Sequence, residues 1–249
     1  MNKLLQTLCV LLTLSSSQSN ATNQYLKVDT NKLLAFNQAI PSSNNVEALY
    51  KIPSYKARVI KQPFNDFDTL YQRALIGQVE LEKIGKSIAL QTNTIMHSSG
   101  IKTKARAVAK VNNKFAGVAD KITDISRISI VAKTVEQLTK SYELLKSQTQ
   151  LLQVKNRFSH PRLSGYRDLN LLVKLANSNI IAEVQLHLEA FSIIKNGKEH
   201  DNYEQIQQLE RLTVGNHRLA SLSEISTINK LRNESKTMYQ DAWNQYKTA

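Results

Sequence analysis

Residues 151–187 read LLQVKNRFSHPRLSGYRDLNLLVKLANSNIIAEVQLH. From Ile181 to Leu188 apolar and polar residues alternate, and a strand alternates its side chains with period two. Ala182, Val184, Leu186 and Leu188 therefore share one apolar face, and Glu183, Gln185 and His187 share the other. Leu169 to Leu175 alternates as well. Asn177-Ser178-Asn179 supplies turn chemistry between the two runs, which predicts a hairpin. A sheet that turns an acid, an amide and an imidazole to one side calls for a polar ligand. The cations just upstream point to a phosphate-rich one.

Outward from the hairpin, Asp66 to about Thr94 carries apolar residues at helical spacing (Leu70, Ala74, Val79, Leu81, Ile84, Ile88), with Asp66 or Asp68 as N-cap. Residues 102–116 read as a second helix and Ile128 to Ala132 as a short β-branched strand. Val135 to Gln153 returns to helical period, and the last sixty residues look helical, with no proline after Pro161. This order predicts an α+β fold, a small mixed or antiparallel sheet flanked by helices. Residues 22–65, punctuated by Pro41, Pro53 and Pro63, read as an N-terminal arm of short elements.

Residues 1–21 resemble an export leader. Lys3 supplies a positive start, Leu4 to Leu14 an apolar core too short to span a bilayer, and Ser19-Asn20-Ala21 small residues for cleavage. A buried N-terminal helix is the alternative. With the leader removed, no membrane span remains, and the chain is expected to be exported, periplasmic or secreted. The only cysteine, Cys9, lies inside that leader. The mature chain would then have no disulfide, thiolate zinc site or cysteine nucleophile.

The net charge is +13, which implies a polyanionic partner: nucleic acid, an acidic lipid surface or nucleotide polyphosphate. Within 100–127 seven Lys/Arg stand against two Asp. Lys102, Arg106, Lys110 and Lys114 fall at successive i+4 steps, a cationic stripe beside an apolar seam of Val108, Val111 and Phe115. A triphosphate along the stripe would relieve its repulsion; a solvated basic face is the plainer reading. Asp124 and Arg127 stand at a strand entrance, where a carboxylate can hold Mg²⁺ with substrate phosphates, or simply pair with the arginine. Glu183 would be the second acid, a metal ligand or a base toward an attacking hydroxyl. Tyr166, after Gly165 in an open turn, could stack on a base, or pack. Lys155, Arg157 and Arg167 would add charge where phosphoryl transfer develops it. His187 has no partner at metal-ligand spacing and reads as a hydrogen-bonding group. Walker, Rossmann and His-Glu-x-x-His motifs are missing from the sequence.

In this order, the Lys-Arg-Lys helix, Thr123-Asp124-Ile125-x-Arg127, Lys155-Asn156-Arg157-Phe158, Gly165-Tyr166-Arg167-Asp168-x-Asn170 and Glu183-Val184-Gln185 resemble the synthetase domain of RelA/SpoT-type alarmone synthetases. The branch with Gly-Tyr-Arg-Asp is the more similar, and Lys195, His200, Tyr203 and Glu204 match its segment after the second strand. The resemblance covers about residues 96–212. It implies a nucleotidyltransferase-like synthetase fold and a Mg²⁺-dependent pyrophosphokinase, which moves the β,γ-pyrophosphate of ATP onto a nucleotide 3′-hydroxyl. Carried over by position, Lys102, Arg106, Lys110 and Arg127 would bind ATP phosphates. Asp124, Glu183 and Gln185 would be catalytic, with the two acids on the metal. Lys155, Arg157, Tyr166, Arg167, Asp168, Asn170, His187, Lys195 and His200 would bind the acceptor.

The chain departs from the family pattern at Gly100, where an arginine usually opens the ATP site, and at Arg106, where a small hydroxyl residue is common. It also departs at Asn170, where histidine is common, and at Glu199, where glycine is more usual. These changes bear on acceptor identity: guanosine nucleotide, adenosine nucleotide or RNA 3′ end. The expected organisation is a leader at 1–21, an arm at 22–65, a synthetase domain with its leading helix at 66–212 and a helical extension at 213–249. An exported synthetase would act as a toxin or effector in another compartment. A non-catalytic basic module binding nucleic acid or nucleotides is the alternative.

Overall fold

The hairpin predicted from residues 169–188 forms the centre of a six-stranded sheet. The protein is described from a computed structural model, over residues 46–215 and 218–248. The expected leader and most of the expected arm lie outside the described residues. A one-turn helix α1 (Glu47–Tyr50) and a two-residue strand β1 (Tyr55–Lys56) precede the long helix α2 (Phe67–Thr92). Strand β2 (Ile95–His97), helix α3 (Lys104–Phe115), strand β3 (Arg127–Ala132) and helix α4 (Val135–Gln148) follow. Strands β4 (Gln150–Asn156), β5 (Leu169–Lys174) and β6 (Ile181–Leu188) lead into helices α5 (Glu189–Lys195), α6 (Lys198–Gly215) and α7 (Leu222–Thr248). The strand order is β1-β4-β5-β6-β3-β2, and only β3 with β6 runs parallel.

Local chemistry sets the boundaries. Asp66 caps α2 by accepting from the Thr69 backbone N–H at 2.8 Å, and Asn93 ends it in the left-handed region at φ 52°. Thr134 and Gln137 form a reciprocal capping box at α4. Helical period was expected to run on to Gln153. Instead α4 stops at Gln148, and Gln150–Asn156 pairs with both β1 and β5. The run Leu151, Leu152, Val154 suits either period, and the free edge of the hairpin decides for strand. Helix α3 begins two residues later than expected, so Lys102 lies before it. Its buried seam is Ala107 and Val111, while Val108 is exposed.

The apolar face of the sheet carries Ile128, Ile130, Val154, Leu169, Leu171, Val173, Ala182, Val184 and Leu186, all buried in one core with Leu70, Leu81 and Ile88 of α2 and Leu138 and Leu145 of α4. Each fully buried aliphatic side chain contributes about 1.5–3 kcal/mol. Gly85 lets α2 approach β3: a Cβ there would meet the Cδ1 of Ile128 at 2.5 Å. Phe158, Phe191, Tyr239, Trp243 and Tyr246 continue the same core beneath α7. On the opposite face Leu152, Leu172 and Ile181 form a small second cluster with Ala57 and Ile60, and the polar remainder is left for the site.

Candidate active site

Strand register builds the site. Arg127 on β3 stands beside Glu183 on β6, which pairs with Leu172 on β5. One pleat further, His97, Ser129, Gln185, Asn170 and Lys155 line up across five strands. The next pair along is Arg157 and Asp168, with His187 at the end of β6. Successive rows two residues apart share a face, so these side chains share the polar side.

At one end, Asp124 accepts from the Nζ of Lys110 at 2.6 Å and from that of Lys102 at 3.2 Å. The Asp124 side chain is 14% exposed and that of Lys102 9%, so the pair is largely enclosed. Burial pushes the Asp124 carboxyl up, but the hydrogen bond and charge of Lys110, then those of Lys102, outweigh it and hold it below the usual carboxylate range. Burial lowers Lys102. Asp124 opposes that shift and the nearby Arg127 reinforces it. Two buried polar atoms have no protein partner here: Oδ1 of Asp124 and Nε of Arg127.

Beside this cluster, Asn170 donates to Glu183 Oε1 at 2.7 Å and the Nζ of Lys195 donates to Gln185 at 2.8 Å. Burial lowers Lys195. Asp168 and Glu183 oppose the shift, while Arg127 and Arg157 add to it. Arg127 thus acts on Lys102 on one side and on Lys195 on the other, joining the two clusters. Lys155 is lowered by burial and then by Arg157 and Arg162, with Glu183 pulling the other way.

Beneath Arg157 lies a buried polar chain. Arg157 donates to Asp168 at 2.7 Å, Tyr166 donates to the other oxygen of Asp168 at 2.8 Å, and the Nε2 of His187 is 2.7 Å from the Tyr166 hydroxyl. Burial, then the charges of Lys195 and Arg157, put His187 well below its ordinary range, so it is neutral at pH 7. Burial, then Asp168, raise Tyr166 well above its own.

Several expectations change with this geometry. Tyr166 is not in an open turn. It is 8% exposed, with Arg157 and Lys195 against its ring and Tyr239 packed edge-on at 5.6 Å. Asp168 and His187, both buried, lie under the site rather than on its surface. Arg167 leaves the site, because its guanidinium lies 4.9 Å above Trp243 and donates to the Phe158 carbonyl. His200 pairs with Glu204 on an exposed face of α6, and Arg106 stands exposed on α3. Gln78 went unnoticed. Buried on α2, it accepts from the Arg127 N–H and donates to the Arg127 carbonyl, fixing the head of β3. An amide on a helix face carries no periodic signal that could have singled it out.

The fold is shared by two solved structures. One is the Type VI effector Tas1, crystallised with its immunity protein, at 18% identity and TM-score 0.54 over 70% of this chain and 96% of that one. The other is small alarmone synthetase 2 from Bacillus subtilis, at 19% identity and TM-score 0.54 over 73% of this chain and 95% of that one. At these identities the likeness is one of fold, that of the small alarmone synthetases. No curated protein matches the chain. Residues 99–208 match the region found in RelA / SpoT proteins, and the chain carries a RelA/SpoT-type synthetase domain.

Proposed function

We propose that the protein is a pyrophosphokinase that transfers the β,γ-pyrophosphate of ATP to the 3′-hydroxyl of a guanosine or adenosine nucleotide, or of an RNA 3′ end. One observation carries this reading. Within a RelA/SpoT-type domain, two carboxylates, Asp124 and Glu183, flank Arg127 at one end of the sheet, among Lys102, Lys110, Lys155, Arg157 and Lys195. A surface that only held polyanions would gain nothing from acids at its centre.

In this reading Lys102 and Lys110 hold the ATP phosphates, and Lys155, Arg157 and Lys195 hold the acceptor. Glu183, oriented by Asn170, is the group to take the proton of the 3′-hydroxyl. The residues also fit Mg²⁺. Asp124 is held ionised with its buried Oδ1 unpartnered, and Glu183 is the second acid. Among the described residues no three His, Cys, Asp or Glu gather around one point, which suits an ion that takes its remaining ligands from phosphates and water. When bound, the ion would neutralise charge on the transferred group. Among the described residues no helix is long and apolar enough to cross a membrane. With residues 1–21 read as a leader, the enzyme is exported and acts as a toxin or effector. The fold shared with an effector crystallised with an immunity protein supports that role.

The test is transfer of label from γ-labelled ATP, with Mg²⁺, to a panel of GDP, GTP, AMP, ADP and tRNA. Wild type should label at least one acceptor, and Asp124→Ala and Glu183→Ala should label none while folding normally. Full activity in either variant would remove that residue from the mechanism, and no transfer to any acceptor would remove the reading.

A further inference from the structure

The chain His187–Tyr166–Asp168–Arg157 lies in the interior, 1%, 8% and 0% exposed at its first three members. Its proton positions follow from the hydrogen bonds. The Tyr166 hydroxyl has one hydrogen, and Asp168, already paired with Arg157, offers only acceptor oxygens. That hydrogen therefore points at Asp168, and the lone pair of the hydroxyl faces the Nε2 of His187 at 2.7 Å. Neutral His187 must then carry its proton on Nε2 and leave Nδ1 bare, and Nδ1 is a buried atom without a protein partner. The reverse tautomer would set a phenol lone pair against a carboxylate oxygen and bury an unsatisfied N–H, which costs more. The main chain tightens the same loop: Arg157 N–H donates to the Asp168 carbonyl at 2.9 Å and Arg162 N–H to the Tyr166 carbonyl at 3.1 Å.

We propose that Tyr166, Asp168 and His187 are positioning residues, a directional hydrogen-bond chain that fixes the Arg157 guanidinium for an anionic phosphate group. Tyr166 works through its hydroxyl, and its ring lies buried between Arg157, Lys195 and Tyr239. Arg157 has its Nη1 committed to Asp168, and the remainder of its fork is aimed by that bond. The proposal rests on the pyrophosphokinase reading only for the identity of the anion.

Inorganic pyrophosphate is the probe, because it has phosphates and no base. Its binding to the full chain is measured by calorimetry. Arg157→Ala should weaken binding about tenfold and Tyr166→Phe by about three- to tenfold, since one charge-coupled hydrogen bond is lost in each. In the Arg157→Ala background, Tyr166→Phe should add nothing, because it acts only through Arg157. In the transfer assay, Tyr166→Phe should raise the acceptor KM and leave kcat within about twofold. Nitrogen NMR of wild type, which needs no variant, should show His187 protonated on Nε2 alone. Wild-type affinity in Tyr166→Phe, losses that simply add, no Arg157-dependent binding, or a proton on Nδ1 of His187 would each overturn the proposal. Arg157-dependent pyrophosphate binding without any transfer would defeat the enzymatic reading and leave this chain standing.

Discussion

Lys102→Met should make the protein more stable and abolish its activity. The backbone of Lys102 is held independently of its side chain. Its N–H donates to the Ile125 carbonyl at 2.9 Å, and its carbonyl accepts from the Tyr71 hydroxyl at 3.1 Å. Methionine nearly matches the aliphatic stem, and Asp124 keeps Lys110 at 2.6 Å, so no carboxylate is stranded. What disappears is an almost buried ammonium whose desolvation, with repulsion from Arg127 and Lys110, exceeds the attraction of Asp124. The sign follows by linkage. A lysine whose folded pKa lies below its unfolded value opposes folding at every pH below the folded pKa. The opposition fades as pH rises through the ordinary value of 10.5. At pH 7 the variant should therefore gain about 1 kcal/mol, the low end for replacing a buried charge with an apolar group. That corresponds to about 2–4 °C in Tm for a domain of this size. Urea unfolding of both proteins at pH 7 reads the difference. A loss of about 1 kcal/mol or more would show that Lys102 is a needed counterion of Asp124 and refute the reasoning. Pyrophosphate supplies a second arm. At a hundredfold over Kd, wild type should gain about 2.7 kcal/mol, and the variant much less at the same concentration. Equal gains would show that Lys102 holds no phosphate.

Three further outcomes are expected. Gly165→Ala should lower stability by about 1–3 kcal/mol in urea unfolding, because Gly165 sits at φ 81° and a Cβ would press Tyr239 at 3.2 Å and the Lys236 backbone at 3.3 Å; a neutral effect would mean that α7 is loosely seated. Asn170→Asp places a second carboxylate where an amide now donates to Glu183 at 2.7 Å. It should lower kcat by about tenfold or more, because the hydrogen bond that orients the base is replaced by repulsion, and an unchanged kcat would remove Asn170 as the group that orients Glu183. Asp124, held below its ordinary value of 3.8, contributes stability that is present above that pH and lost as pH falls through its folded pKa. The gap in urea midpoint between wild type and Asp124→Asn should therefore close only below about pH 4, and a gap that closes near pH 6 would point to a different group.

The hairpin and α2 were legible because their apolar periods are long and their caps are local: Asp66 begins the helix, and Asn177-Ser178-Asn179 turns the strands. Strand β4 was not, since Leu151, Leu152 and Val154 satisfy a helix as well as a strand, and its assignment depends on pairing partners distant in the chain. Strands β1 and β2 are two and three residues long and carry no period at all. Within the site, Asp124, Arg127, Glu183 and Gln185 could be placed because strand entry and alternation fix their face. Tyr166 and Arg167 could not. Whether a residue after Gly165 opens to solvent depends on Tyr239 and Trp243 in α7, more than seventy residues later. Burial is a property of the partner, and no local pattern in the loop encodes it.

The charge pattern supports the proposed chemistry over adhesion. A chain at +13 that only needed to hold polyanions would spread its cations over an exposed surface, where each is cheaply hydrated and worth little alone. Here Lys102 and Lys195 are drawn inward at the cost of lowered basicity, and each is set against an acid or amide of the same site. Burying like charges together opposes folding, so the arrangement is not explained by stability. The proposed ligand, which brings concentrated negative charge to one fixed point, would account for it. Gln78 from α2 and the Tyr166–Asp168 pair beneath β5 support the same end: the first holds the main chain of Arg127 and the second the guanidinium of Arg157. Geometry held this rigidly around opposing charges suits the stabilisation of a developing charge better than retention of a polymer.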